Sequence, residues 1–169
     1  MRWYSINDDY LTYLRSYEGR IPYIDYGANK FKPFFGALFE IGDFVYVTQV
    51  SSPKKRHCRM RENVDFYKLY RGKNLKSVVN LNYMFPVPKS MLIDVNYGEI
   101  ENFRSFKDAD EKAYYIGLLK FELREIKKKK INEKAKDLYY MKYDYPNDTV
   151  SQRCFDFKQL ESKASEYLL

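Results

Sequence analysis

The stretch FFGALFEIGDFVYVTQVS, residues 34–51, determines the predicted fold of the first half of the chain. Two runs of mainly aromatic and β-branched residues, 34–41 and 44–51, flank Gly42-Asp43, and this pattern is typical of a β-hairpin with a two-residue turn. The second strand leads the chain directly into Ser52-Pro53-Lys54. The hairpin therefore decides where this short polar segment begins.

Upstream of the hairpin, the sequence predicts a strand, a helix and a long loop. Residues 2–6 are expected to form the strand, and Asn7 or Asp8 can cap a helix whose apolar residues recur at helical spacing until Gly19. The stretch 20–33 has no clean period and contains turn-forming residues, which predicts a loop. Its length is unusual for a plain connection and suggests a function. The loop carries Tyr23, Tyr26, Lys30 and Lys32.

Downstream of the hairpin, the sheet pattern continues to about residue 100. A second hairpin is expected between residues 66–70 and 78–83, with its turn at Arg71–Asn74. A further strand is expected at residues 91–95. The first hundred residues are therefore predicted to be mainly antiparallel sheet.

The second part of the chain is predicted to be helical. From about Ser105 one apolar face recurs at helical spacing, and Lys127–Lys130 interrupts it, so the helix is expected to bend or restart there. Asp156 with Gln159 resembles a capping box that opens a last helix. The four lysines either form a solvated helix face or bind the backbone of an RNA. We expect one α+β domain over residues 1–169.

Charge and aromatic content favour a nucleic-acid partner. Thirty Lys and Arg against 23 Asp and Glu leave a net charge of +7. The chain also has 18 Tyr and 12 Phe, and aromatic rings can stack on unpaired bases of single-stranded RNA. For most of the tyrosines, packing in the core with the hydroxyl at the surface is the simpler interpretation.

The cysteine and histidine content excludes several classes of site. Cys58 and Cys154 are far apart and belong to no CxxC pair, so neither a disulfide framework nor a zinc site is indicated. His57 is the single histidine, which excludes mechanisms that use two histidines as base and acid. No apolar run approaches the ~18 residues of a membrane span. We expect a soluble cytoplasmic protein without metal or other cofactor.

The segment Ser51–Arg61 is the main candidate for chemistry. It combines serine hydroxyls with five Lys or Arg side chains, a composition that suits phosphate. RNA carries its own nucleophile, the 2′-hydroxyl, so an enzyme needs only to align it, stabilise charge on the phosphate and move two protons. Lysines can serve in two of these tasks. A solvated basic edge that discourages strand pairing explains the same residues equally well.

Four segments together resemble a known family, the type III toxin–antitoxin and phage-abortive endoribonucleases of the ToxN and AbiQ kind. Each segment is weak alone, but their order and spacing are specific, and the resemblance spans nearly the whole chain. The segments are Trp3–Ile6 with Asp9–Leu14, then Lys32–Ile41, Ser51–Lys55 and Val79–Pro88.

The resemblance implies both a fold and an activity. The fold is a compact antiparallel sheet with surrounding helices, similar to the barrel-like ribonuclease toxins of the Kid and MazF type. The activity is metal-independent cleavage of single-stranded, typically adenine-rich RNA, which leaves a 2′,3′-cyclic phosphate and a 5′-hydroxyl. The substrates would be cellular and phage mRNA.

The resemblance also implies the site residues. The catalytic serine of the family falls on Ser52, and its loop lysine falls on Lys54. The second active-site lysine falls on Lys32, four residues before Gly36, and the active-site tyrosine on Tyr26, with Tyr23 as the alternative. RNA contacts are expected from Tyr10, Ser51, Lys30, Lys55, Arg56 and His57. The sequence is equally compatible with a core role for Tyr10 and a structural role for His57.

The family's partner is its own inhibitor, a small repeated RNA that folds into a pseudoknot. The resemblance implies that this chain and such an RNA form a closed protein–RNA hetero-oligomer, and the net charge of +7 suits that partner. Two rival hypotheses remain: an RNA-binding protein without catalysis, and a basic structural or ribosome-associated domain. Convergence of Lys32 with Ser52 and Lys54 on one phosphate would favour the nuclease.

Overall fold

The computed structural model describes residues 2–27 and 30–169; Met1, Ala28 and Asn29 lie outside the described residues, the last two within the predicted loop 20–33. All the strands lie in the first hundred residues, and only helices follow them in the described part of the chain. The strands are β1 Trp3–Ile6, β2 Phe35–Ile41, β3 Phe44–Thr48, β4 Phe66–Arg71, β5 Asn74–Asn80, β6 Phe85–Pro88 and β7 Leu92–Asp94. The α-helices are α1 Asp8–Arg15, α2 Lys55–Arg59, α3 Ala109–Lys128, α4 Ile131–Asp144, α5 Thr149–Arg153 and α6 Phe157–Tyr167.

The predicted β2–β3 hairpin lies in the centre of a five-stranded antiparallel sheet with the order β6-β3-β2-β1-β7. Ile41 pairs with Phe44 across the turn, and Gly42 has a φ of 56°, a left-handed conformation that favours glycine. β3 ends at Thr48, three residues earlier than the pattern predicted. Residues 49–52 are thereby free to form the wall of a cavity.

The sheet is open, with β6 and β7 as its two edges. β4 and β5 form a separate two-stranded ribbon, and Ser51 links it to the main sheet through a bridge to Val78. The mixed α+β class, the antiparallel sheet and the helical C-terminal half are confirmed. The closed, barrel-like arrangement is not, because the order of the strands leaves both edges of the larger sheet unjoined.

Strand β6 was not predicted from the sequence. Pro86 and Pro88 interrupt its apolar pattern, and prolines are rare within sheets because they lack the backbone N–H. β6 lies at an edge, where it pairs only with β3, and an edge strand tolerates proline.

A small cluster of buried apolar residues joins α3 to the sheet beside the main core. It consists of Trp3, Phe34, Ile100 and Leu119. The indole Nε1 of Trp3 donates a hydrogen bond of 3.0 Å to the carbonyl oxygen of Leu119. Gly36 faces this indole, and a Cβ there would already lie 3.4 Å from the ring. Trp3, Phe34 and Leu119 of this cluster form part of the apolar floor of the candidate site.

The predicted N-terminal caps of α1 and α6 are confirmed, whereas α1 ends at Arg15 and not at the predicted Gly19. Asn7 caps α1 and Asp156 caps α6, each by accepting a backbone N–H. The predicted interruption at Lys127–Lys130 is also present, because α3 ends at Lys128 and Lys130 has a φ of 53°. Over the ranges 2–27 and 30–169, none of the helices combines the length and the apolar character needed to cross a membrane.

Candidate active site

A cavity of about 450 Å³ lies between the loop before β2, the segment after β3 and the inner face of α3. Its floor is apolar, and its rim carries side chains that can bind anions or move protons. The polar residues that line it are Lys30, Lys32, Gln49, Ser52, Arg104 and Glu122.

Lys32 is held in this cavity by its own backbone. Its N–H donates to the carbonyl oxygen of Ile24 at 2.7 Å, and its carbonyl oxygen accepts a hydrogen bond of 2.8 Å from the Gln49 amide. Burial lowers the pKa of the Lys32 ammonium group, the positive charge of Lys54 lowers it further, and the charge of Glu122 opposes both. Lys54 thus influences the charge of Lys32 from outside the lining of the cavity.

Tyr26 lies next to Lys32. The Tyr26 hydroxyl donates to Oε1 of Gln49 at 2.6 Å, and the Lys32 Nζ lies 5.6 Å from the centroid of the Tyr26 ring. The ring of Tyr23 instead faces Arg15, whose Cζ lies 4.2 Å from its centroid. Gln49, which sequence reasoning missed, joins the two tyrosines by also donating to the Tyr23 carbonyl oxygen.

The serine segment is fixed on one side and open on the other. Ser51 exchanges two backbone hydrogen bonds with Val78 of β5, at 3.0 and 2.8 Å. Ser52 follows it, is exposed and lines the cavity. Lys54 is exposed at the N-terminal end of α2. The bridge thus anchors the backbone while the Ser52 hydroxyl and the Lys54 ammonium group remain accessible.

His57 is buried and bonded within the protein. It is 4% exposed, its Nδ1 accepts the Lys54 N–H at 3.0 Å, and its ring packs on Phe66. Burial, followed by the positive charges of Arg56, Lys54 and Lys68, lowers its pKa, so the neutral ring that can accept this hydrogen bond is favoured. His57 thus holds the backbone of Lys54, which favours the structural role left open for it over the predicted RNA contact.

Tyr10, for which an RNA contact was predicted, is buried in the core. Its side chain is 0% exposed, its hydroxyl donates to the Pro86 carbonyl oxygen at 2.8 Å, and its ring meets that of Tyr167 edge-on. A residue enclosed in this way cannot stack on a base without unfolding the core around it. Of the two roles left open for Tyr10, the structure shows the one in the core.

The remaining predicted contacts lie at the surface. Lys30 is exposed at the rim of the cavity. Lys55 and Arg56 are exposed on α2. Of these three cations, only Lys30 lines the cavity.

Two polar residues of the C-terminal half were missed. Glu122, on α3, is buried, accepts a hydrogen bond of 2.5 Å from the Ser77 hydroxyl, and has a pKa that burial raises to about 7. The Arg104 guanidinium packs against the rings of Phe106 and Tyr115, with Cζ 4.9 and 4.3 Å from their centroids. A sequence signal existed for Glu122, because it falls on the apolar helical face shared by residues 119 and 126.

The arrangement can bind a phosphate and supply proton donors or acceptors. Cations and a hydroxyl surround an accessible space, and Glu122 stands at its buried end. Among the side chains that the structure describes, no three His, Cys, Asp or Glu are grouped so as to hold a metal ion.

Comparisons with known proteins find one family model and two endoribonucleases to which the chain is similar. The family model for the toxin ToxN of type III toxin–antitoxin systems matches residues 2–165. Endoribonuclease ToxN of Pectobacterium atrosepticum is 27% identical over 107 residues, which cover 60% of this chain and 63% of that relative. Endoribonuclease AbiQ of Lactococcus lactis subsp. lactis is 26% identical over 178 aligned positions, 99% of this chain and 89% of that relative.

The fold has a solved counterpart as well. A type III toxin–antitoxin structure, described as showing selective toxin inhibition by a non-coding RNA pseudoknot, superposes with a TM-score of 0.75 at 18% identity. The superposition covers 99% of this chain and 97% of that chain. At this level of identity the likeness supports the fold alone.

Proposed function

Because the chain belongs to the ToxN toxin family of type III toxin–antitoxin systems, we propose that it is an endoribonuclease toxin that cleaves single-stranded RNA without a metal ion. The observation that carries this proposal is the shared cavity. Lys32 and Ser52 come from different segments and line the same space, and the charge of Lys54 reaches Lys32. A binding surface alone would not require this convergence.

The proposed reaction is an in-line transesterification within the RNA. The 2′-oxygen attacks the neighbouring phosphorus and forms a P–O2′ bond, while the bond from phosphorus to the 5′-oxygen of the next nucleotide breaks. One proton leaves the 2′-hydroxyl and one is delivered to the departing 5′-oxygen. The products are a 2′,3′-cyclic phosphate and a 5′-hydroxyl.

Roles within the site follow from exposure and charge. The Ser52 hydroxyl can donate to a non-bridging phosphate oxygen, and the Lys54 ammonium group can stabilise the charge of the phosphorane. Lys32, which is half-buried, is shielded from solvent on one side, so its charge acts more strongly than that of an exposed lysine. Tyr26 is the active-site tyrosine in this proposal, because it contacts Lys32 and Tyr23 does not.

The test of the function is cleavage of adenine-rich RNA in EDTA by the purified chain. We expect the RNA to be cut into fragments that end in a 2′,3′-cyclic phosphate and a 5′-hydroxyl, identified by end-labelling and phosphatase treatment. Intact RNA together with tight binding would support the rival, a non-catalytic RNA-binding protein. Cleavage only after a divalent ion is added would contradict the metal-independent mechanism.

We further propose the partner and setting of this nuclease. Selective inhibition by a non-coding RNA pseudoknot is described for a structural relative at 18% identity, and a repeated RNA of that kind would occupy this basic entrance and close with the toxin into a hetero-oligomer. Cellular and phage mRNA in the cytoplasm would be the targets. A relation to the Kid and MazF toxins stays a prediction.

The tyrosine assignment gives a separate prediction. Tyr26→Phe removes the hydroxyl that bonds to Gln49 and is expected to lower the cleavage rate roughly tenfold, because the loop around Lys32 loses a link to the segment after β3. Tyr23→Phe removes a hydroxyl from a comparably exposed ring and is the matched control, with an expected change below about twofold. Initial rates on one RNA oligonucleotide measure both. A larger loss in Tyr23→Phe would reverse the assignment.

A further inference from the structure

Glu122 is the one buried carboxyl group in the described part of the cavity lining. Its side chain points from α3 toward the floor of the site, with 6% of the residue exposed. Burying a carboxylate is costly unless it has partners. Glu122 lies on the same face of α3 as Leu119 and Ile126, where a buried position would ordinarily carry Leu or Ile. The carboxyl group therefore needs an explanation beyond the packing of α3.

Two partners explain why it is there. The Ser77 hydroxyl, from β5, donates to Oε1 at 2.5 Å and favours the ionised form. Lys32 lines the same cavity. The positive charge of Lys32 favours the ionised form of Glu122, and the negative charge of Glu122 favours the charged form of Lys32. Glu122 thus joins α3 to the β4–β5 ribbon by a hydrogen bond and lines the same cavity as Lys32.

We propose that Glu122 is a positioning residue for Lys32: its carboxylate, fixed by the Ser77 hydroxyl, keeps the half-buried Lys32 ammonium group charged so that it can stabilise the phosphorane. This inference rests on the proposed function. It deepens that function by assigning Lys32 the charged role and by adding a residue that does not itself touch RNA.

The electrostatic balance at Lys32 shows why such a residue is needed. Burial and the charge of Lys54 both disfavour the charged form of Lys32, and the charge of Glu122 opposes them. Without it, Lys32 would lose its proton at lower pH and the cavity would lose a cation. The titratable and charged groups that face Glu122 or Lys32 from the surrounding elements are Tyr26, Lys30, Lys54, Tyr97, Arg104 and Tyr115.

The first test is the pH dependence of cleavage by Glu122→Gln. A charged Lys32 is lost as pH rises through its pKa, and removing the carboxylate lowers that pKa, so the alkaline limb of the pH–rate profile is expected to move to lower pH. At pH 8 to 9 the rate is expected to fall roughly tenfold, less than the ~10²–10⁴-fold that a direct proton-transfer group supplies. Ser77→Ala is expected to shift the limb in the same direction by a smaller amount.

The controls separate the possible outcomes. Glu133→Gln removes one negative charge from an exposed ion pair with Lys130 on α4 and is expected to leave the profile unchanged. An unmoved alkaline limb in Glu122→Gln would overturn the proposal, as would a loss of 10²-fold or more with disappearance of an acidic limb, which would make Glu122 the base itself. Higher activity in the variant below pH 7 would also overturn it, because Lys32 would then act in its neutral form.

A second measurement does not depend on catalysis. NMR titration of protein labelled at the lysine side chains gives the pKa of Lys32 directly, and that pKa is expected to be lower in Glu122→Gln than in the unmodified protein. Equal values would refute the positioning role even if the protein cleaves RNA. Failure of the unmodified protein to cleave RNA would instead refute the proposed function, so the two failures are distinguishable.

Discussion

Ser52→Ala and Lys54→Ala are each expected to reduce the rate of RNA cleavage about 100-fold or more and to abolish growth inhibition, while the protein stays folded. In the proposed reaction both side chains act on the scissile phosphate, and one preorganised donor to a developing negative charge is typically worth ~10²–10³ in rate. Neither side chain is part of the core, since both residues are exposed. The loss is therefore chemical and not structural.

The measurement combines single-turnover cleavage with a check on folding. Far-ultraviolet circular dichroism and the urea midpoint of each variant should match those of the unmodified protein, because replacing an exposed side chain usually changes stability by less than ~0.5 kcal/mol. Lys73→Ala, which removes an exposed cation from the β4–β5 turn, is the matched control for net charge. Two variants that remain fully toxic would refute the assignment of Ser52 and Lys54.

The elements that were predicted correctly carry their signal in adjacent residues. The Gly42-Asp43 turn, the Asn7 cap of α1 and the Asp156 cap of α6 each depend on a few neighbours in the chain. The break near Lys130 is equally local, because lysines replace the apolar face over one turn. Such signals survive in a single sequence because no distant contact is needed to produce them.

Features that depend on distant partners were not predictable in the same way. Tyr10 recurs at the helical spacing of the apolar residues of α1, which fits the core. Its hydroxyl, however, donates to the carbonyl oxygen of Pro86 on β6, a strand that was not predicted because prolines interrupt its apolar pattern. Whether the sheet closes likewise depends on how β6 and β7 meet the rest, and hydrophobic alternation does not encode that. The resemblance suggested a barrel-like core, and the described residues form an open sheet.

The residues of the candidate site likewise comprise some that were predicted from the sequence and some that were not. The grouping of Lys32 with Ser52 was expected from the resemblance and is present as a shared cavity, whereas composition alone left the serine loop equally consistent with a solvated edge. Glu122 and Arg104 lie about 70 or more residues from Lys32 in the sequence, and only the packing of the helical half against the sheet brings them to it. A buried acid on an apolar helix face is the one signal that the sequence did contain.

Lys32→Met is expected to lower the turnover rate about 100-fold or more, whereas Lys30→Met mainly weakens RNA binding. The two lysines are two residues apart and line one cavity, but Lys32 is half-buried and Lys30 is exposed at the rim. A shielded charge on the reacting phosphate acts in the transition state, while a rim cation contributes a screened phosphate contact. Lys30→Met should therefore raise the Michaelis constant a few-fold, and added salt should bring the Michaelis constants of the variant and the unmodified protein closer together.

Lys32→Arg decides which property of Lys32 matters. Arginine keeps its proton at all accessible pH values, so this variant retains the charge and cannot act as a neutral base. If Lys32 stabilises the phosphorane as a cation, Lys32→Arg should recover a measurable part of the activity that Lys32→Met loses, and its alkaline limb should no longer respond to Glu122→Gln. Equal inactivity of both variants, in proteins that remain folded, would contradict the charged role and favour proton transfer by Lys32.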